Sequence, residues 1–250
     1  MAGHSKWANI KHRKGRQDAI RGKLYTKLGR EIIVAAKLGG GDPGMNVRLR
    51  LAIERAKAES LPKENIERAI KRGTGEIEGE NFEEITYEGL GPGGVGIMID
   101  VYSENRNRTV ADLRHTLTRN GGSLTDSGSV SWQFKPVGQI IVERVNDSEH
   151  DEQLVTMAAL DAGAEDVIVE DEFYVVQTAV EDLHKCAAIM EQAGVEVKEV
   201  SLTRIATNMA ELTEAELKSL VRLLDALEEL DDVKETQINV DIPDGILQEA

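Results

Sequence analysis

Near residue 80 the hydrophobic period of this 250-residue chain changes from about 3.6 to 2, and its charge changes sign at nearly the same place. Residues 1–75 carry 18 Lys/Arg against 7 Asp/Glu; residues 76–250 hold the other 12 basic side chains against 38 acidic ones. Segments of different period build different layers of structure, so a helical unit followed by strand-bearing units is expected. The overall net charge of −15 hides this division. A polyanion would be drawn to the first third of the molecule and repelled by the rest.

In that first third, Leu24, Tyr25, Leu28, Ile32, Ala35 and Ala36 share one arc of a helix running from about Asp18 to Lys37. Gly39-Gly40-Gly41 is a strong stop signal. Lys23, Lys27, Arg30 and Lys37 fall on another arc, with Val34 as the only apolar intruder. A second helix is expected from about Asn46 to Glu59. A third should start near Pro62 and end at Gly73. Residues 1–16 are too polar to pack and read as a mobile arm.

Beyond residue 82, Ile85–Tyr87 and Val95–Val101 flank a glycine-rich turn and predict a hairpin. Thr109 with Asp112 three residues on suggests a capping box opening a helix to about Arg119. Val130, Trp132 and Phe134 alternate with polar residues as in a half-buried strand. Residues 138–206 then spell strand, helix, strand, strand, helix, strand, the ferredoxin-like order. A helix at about Thr213–Leu230 and a strand at Thr236–Ile242 remain, and they would complete the sheet begun earlier. The expected fold is α+β, with a small basic helical domain at residues 1–78. A discontinuous α/β domain takes residues 79–136 and 207–250, with a ferredoxin-like unit at 137–206 inserted in it.

Several function classes are disfavoured. No stretch approaches the roughly 20 apolar residues of a membrane span, and the first 30 residues contain no apolar core of a secretory signal. The single cysteine, Cys186, excludes an intramolecular disulfide and lies at helical spacing with Leu183, Ile189 and Met190, as a buried core residue would. A cytoplasmic location is expected. The five histidines show no metal-ligand spacing, and no nucleophile elbow, Walker loop or paired carboxylate stands out. Gly89-Leu90-Gly91-Pro92-Gly93-Gly94 formally matches a dinucleotide fingerprint, but a strand rather than a helix follows it, so it reads as a hairpin turn. A non-enzyme without cofactor, metal or small-molecule substrate is expected.

The strongest functional signal is the basic array Lys6, Lys11, His12, Arg13, Lys14, Arg16, Lys23, Lys27 and Arg30. Phosphate backbones bind such arrays by releasing condensed counterions. Trp7, inside the array, is suited to stack on an unpaired base or, equally, to dock on the protein core. The basic helical arc is either a phosphate-binding face or a solvated one. Arg106 and Arg108, placed before the expected helix at Thr109, form a second candidate contact, since helix amino termini favour phosphate. The alternative is a turn that carries two arginines. The acidic remainder would suit a basic protein partner, although solvated acidity is the commoner reason for such surfaces.

The opening MAGHSKWANIKHRKGRQDAIRGKLYTKLGREI resembles the amino-terminal signature of the YebC/PmpR family, which includes the mitochondrial translational activator of cytochrome oxidase. The resemblance continues through GGGDPGMNVRLRLAIERAKAESLPKENIERAIKRGTG, YEGLGPGGVGIMIDVYSENRNRTVADLR and GGSLTDSGSVSWQF, covering essentially the whole chain. It implies one helical and two α/β domains around a cleft, and no enzymatic activity or cofactor. It also implies a cytoplasmic DNA-binding transcriptional regulator. The alternative it offers is a ribosome-associated translation factor on ribosomal RNA that relieves stalling at proline-rich stretches.

Overall fold

The computed structural model describes residues 19–79, 81–144, 149–170, 172–243 and 245–246. Helices α1 (Ala19–Gly39), α2 (Val47–Ala58) and α3 (Lys63–Gly73) form the amino-terminal domain. Their apolar arcs meet in a core containing Leu28, Ile32, Leu49, Ile53 and Ile66. Asn46 organises the α1–α2 corner. Its Oδ1 accepts from the Leu49 amide and caps α2, while its Nδ2 donates to the carbonyls of Ala35 and Gly40 at 2.8 Å each. Gly40 adopts φ +85°, the left-handed conformation that ends α1.

Two α/β units follow. The first has β1 (Glu83–Leu90), β2 (Gly96–Ser103), α4 (Arg106–Arg119) and β3 (Ser123–Thr125). It is completed by α7 (Glu214–Glu228) and β8 (Val233–Ile238), giving an antiparallel sheet of order β3-β1-β2-β8. The second, inserted in the first, is β4 (Phe134–Glu143), α5 (Glu149–Asp161), β5 (Asp166–Val169), β6 (Phe173–Thr178), α6 (Leu183–Gln192) and β7 (Val197–Ala206). Its antiparallel sheet has the order β5-β6-β4-β7, the ferredoxin-like arrangement. The fold is therefore α+β: a helical domain and two ferredoxin-like units, one within the other.

Strand β2 is buried at every position because both of its faces are covered. Ile97, Ile99 and Val101 pack with Leu113 and Leu117 of α4 and Leu220, Leu224 and Leu227 of α7. On its other face, Tyr102 joins Phe82 in the core of the helical domain, so two aromatic residues from beyond the helices complete that core. Asp100, also on that face, accepts from Arg204 of β7 and Thr86 of β1, which ties the inserted unit to the first sheet. Burial works against the Asp100 charge, but the bonds from Arg204 and Thr86 outweigh it and hold the carboxyl below its ordinary value.

Local structure differs from the sequence-based expectation at several places, among them the unexpected strand β3. Helix α4 begins at Arg106 with Asn105 as its cap, the Asn105 side chain accepting from the Arg108 amide at 3.2 Å. Thr109 is instead buried inside the first turns. Residues Ser131–Gln133 form a turn of 3-10 helix, and β4 starts only at Phe134. The last strand is Val233–Ile238, earlier than the expected Thr236–Ile242.

The turn before β4 is held by a buried carboxylate. Glu88 accepts from the amides of Gly128, Val130 and Ser131 at 2.7, 2.7 and 3.0 Å. Burial opposes its charge, but the three amides prevail and hold its pKa below the ordinary value. A carboxyl depressed by folding contributes stability above its unfolded pKa of about 4.3 and loses that contribution as pH falls through the folded value. Glu88→Gln is therefore expected to cost about 1–3 kcal/mol in chemical denaturation near neutral pH. The gap between variant and parent should shrink below about pH 4; an equal gap at pH 3 and pH 7 would contradict the assignment.

Candidate nucleic-acid interface

Of the residues that the sequence nominates, Lys6, Trp7, Lys11, His12, Arg13, Lys14 and Arg16 lie outside the described residues. The remaining five are placed. Lys23, Lys27 and Arg30, at helical spacing on α1, face the carboxy-terminal end of α7. Lys23 Nζ donates to the Glu229 carbonyl at 3.2 Å and pairs with the Glu229 carboxylate at 3.6 Å. Lys27 Nζ donates to the Glu228 carbonyl at 2.7 Å. Arg30 donates to the Asp231 carbonyl and to Asp232 Oδ1, the latter at 2.9 Å.

The chemistry of this contact follows from the end of a helix. The last carbonyls of α7 have no intrahelical partners and carry the negative end of its dipole, and residues 228–232 add four carboxylates. Three cations one turn apart satisfy that end. The basic arc of α1 thus serves as a docking surface for the acidic half of the chain. Val34, on the same arc, is only 2% exposed, in the core that includes Phe82 and Tyr102.

Arg108 joins the same node. Its guanidinium lies 3.2 Å from both oxygens of Asp232 and 3.0 Å from Glu104 Oε1. Asp232 also accepts from Thr109 Oγ1 at 2.6 Å, and is 8% exposed. The structure thus brings Arg30 and Arg108, 78 positions apart, onto one carboxylate. Arg106 points elsewhere, donating twice to Glu83 Oε2 at 2.6 and 2.8 Å.

Other charges gather where elements of the three units meet. Arg55 of α2 lies 3.7 Å from Glu31, with Glu199 of β7 and Glu235 of β8 also acting on it. Burial lowers its pKa, but these three carboxylates outweigh that and raise it. Tyr102, in the same cluster, accepts from Arg48 at 3.3 Å, and burial pushes its pKa up to about 12.

Exposed cations without an ion pair among the described residues include Arg50 and Lys57 of α2 and a group on α3. Arg68, Lys71 and Arg72 are exposed and hold no ion pair among the described residues. Asn65, Arg68 and Arg72 share one stripe of this helix and border a cleft of about 430 Å³ between α3 and α1. The α1 side contributes Tyr25, Gly29 and Arg30, while Ile33, Leu61 and Phe82 supply buried apolar surface. Arg30 is stacked over the Phe82 ring, its guanidinium carbon 5.0 Å from the centroid. The sequence reading did not single out Arg68, Lys71 and Arg72; their spacing of three and four residues was the available signal.

Among the described residues, no group of three His, Cys, Asp or Glu side chains could hold a metal ion, and no helix is long and apolar enough to cross a membrane. Cys186 is buried, with its thiol pushed up by burial and by Asp182, which disfavours a nucleophilic thiolate.

Fold and site together define a three-part α+β protein whose basic helical domain is latched onto an acidic body. The family model for the TACO1/YebC protein N-terminal domain matches residues 5–76, and that for the TACO1/YebC second and third domain matches residues 82–240. The chain belongs to this family. It is 49% identical over 250 residues to a "Probable transcriptional regulatory protein" of Halothermothrix orenii, covering 100% of this chain and 98% of that one. A relative of the same description from Thiobacillus denitrificans is 53% identical over 247 residues, covering 98% of this chain and 100% of the relative. The crystal structure of a conserved hypothetical protein from Aquifex aeolicus superposes with a TM-score of 0.84 at 45% identity, covering 90% of this chain and 92% of that one.

Removing the shared carboxylate tests the latch. Asp232→Ala removes the common partner of Arg30, whose side chain is 13% exposed, and of Arg108, whose side chain is 45% exposed and keeps Glu104. A loss of about 1.5–3 kcal/mol in denaturant unfolding is expected. A loss below about 1 kcal/mol would mean that the node does not hold the domains together.

Proposed function

We propose that this protein is a non-enzymatic, nucleic-acid-binding regulator of gene expression, acting in the cytoplasm as a DNA-binding transcriptional regulator. The observation that carries this reading is the set of exposed cations on α3 without carboxylate partners, in the same domain as the arginine- and lysine-rich segment 6–16. The names of the relatives point to transcription. The acidic body orients the ligand by repelling it from every other face.

A second reading is a translation factor bound to ribosomal RNA. It is favoured by the cleft beside Arg68 and Arg72, which suits an unpaired nucleotide better than the groove of an intact duplex. Crosslinking in cells followed by sequencing of the bound nucleic acid separates the two. Enrichment of promoter DNA supports the regulator; a footprint on ribosomal RNA overturns it in favour of the translation factor.

The electrostatic part has its own measurement. If roughly six phosphates are neutralised, log affinity should fall against log salt with a slope near −5 for duplex DNA or −4 for a single strand. Replacing Lys11, Arg13 and Lys14 together by Glu should flatten that slope by about 2–3 and leave the unfolding midpoint within about 2 °C of the parent. A slope unchanged by the triple substitution would exclude segment 6–16 from the interface. Lys23, Lys27 and Arg30 are unsuited to this test, because reversing their charge would also break the contact with α7.

A further inference from the structure

We infer that the cleft between α1 and α3 is a subsite for a single unpaired nucleotide, in RNA or in DNA, with its phosphate on Arg68 and Arg72 and its base beside Tyr25 and Arg30. The inference rests on the nucleic-acid reading above and makes it specific. It starts from the division of labour among three guanidinium groups. Arg30 is already committed to Asp231 and Asp232 and sits over the Phe82 ring with its side chain 13% exposed, so it offers a fixed cationic surface rather than a free charge. Arg68 and Arg72, one helical turn apart and without carboxylate partners, supply the free charge. Guanidinium planes and tyrosine rings are the surfaces on which unpaired bases stack, and free guanidiniums bind phosphate through paired N–H groups.

The size and lining of the cleft agree with this ligand. The open cleft offers about 430 Å³, room for one nucleotide. Its surface combines the buried apolar side chains Ile33, Leu61 and Phe82 with the exposed amide of Asn65, as a base with an apolar face and a polar edge requires. An intact duplex turns its bases inward and presents no separate nucleotide to such a cleft. The expected preference is therefore for single strands or for extruded nucleotides, whatever the sugar.

Gly29 provides a test that leaves charge unaltered. It lines the cleft from α1, and a Cβ added there meets nothing within 4 Å. Leucine at this helical position fills the cleft while raising helix propensity. The measurement is fluorescence anisotropy with a labelled 12-nucleotide RNA, the same sequence as single-stranded DNA, and a blunt DNA duplex, all at one salt concentration. The parent protein should bind the single strands at least ten-fold more tightly than the duplex. Gly29→Leu should bring that ratio within about two-fold by weakening single-strand binding. Arg68→Glu with Arg72→Glu should lower single-strand affinity at least ten-fold. RNA and DNA strands binding alike would mean that the cleft reads an unpaired nucleotide regardless of sugar; a preference for RNA would add a contact to its 2′-hydroxyl. Either result supports the subsite. Single-strand affinity unchanged in Gly29→Leu, or a parent without single-strand preference, overturns it and leaves salt-dependent nucleic-acid binding standing. Absence of salt-dependent binding to all three probes overturns both.

Discussion

Asp232 sits at the junction on which the arrangement of the domains depends. It directly precedes β8, its carbonyl accepts from the Tyr102 amide of β2 at 2.9 Å, and its carboxylate holds Arg30 of the helical domain, Arg108 of α4 and Thr109. One residue therefore connects the sheet, the start of α4 and the amino-terminal domain. The lysines at 23 and 27 extend the contact along the exposed carbonyls of α7. Apolar packing of Phe82 and Tyr102 into the helical core fixes the same approach from the other side, so charge and burial select one docking geometry.

That geometry changes the meaning of the charge division. An excess of eleven positive charges in the first 75 residues suggests a whole domain open to a polyanion. In the folded chain, part of that excess meets the acidic turn at 228–232, and Arg48 and Arg55 meet Glu84 and Glu31. Complementary charge within the molecule accounts for Lys23 and Arg30 of α1 and for Arg48 and Arg55 of α2. Arg68, Lys71 and Arg72 of α3 and Arg50 and Lys57 of α2, together with the basic segment 6–16, remain for a ligand. The interface is therefore narrower than composition implies.

The elements themselves were largely legible, because long amphipathic segments and alternating strands impose their period on the sequence. The misreadings occurred where a short polar motif had two uses. Thr109 with Asp112 resembles a capping box, yet Asn105 caps the helix and the Thr109 hydroxyl goes to Asp232, a partner 123 residues away that no local pattern reveals. Val130, Trp132 and Phe134 alternate like a strand, yet three amides of residues 128–131 are drawn to Glu88 and the chain turns there. The docking role of α1 did leave a trace in the sequence. Val34, the apolar residue on an otherwise basic arc, marks a face that is covered by protein.

Arg30 links the latch to the proposed nucleotide subsite. Its guanidinium is held by Asp232 on one side and by the Phe82 ring beneath, so it is ordered before any ligand arrives. A surface already ordered loses little side-chain entropy on binding, whereas Arg68 and Arg72 must give up about 0.5–1.5 kcal/mol each. Because Asp232 offsets much of the Arg30 charge, the attraction for phosphate falls to the two arginines of α3. The fixed arginine thus contributes shape and the free ones contribute charge. Such a division favours a ligand with a flat face and an anionic group a few ångströms apart, which describes a nucleotide better than it describes a bare phosphate backbone.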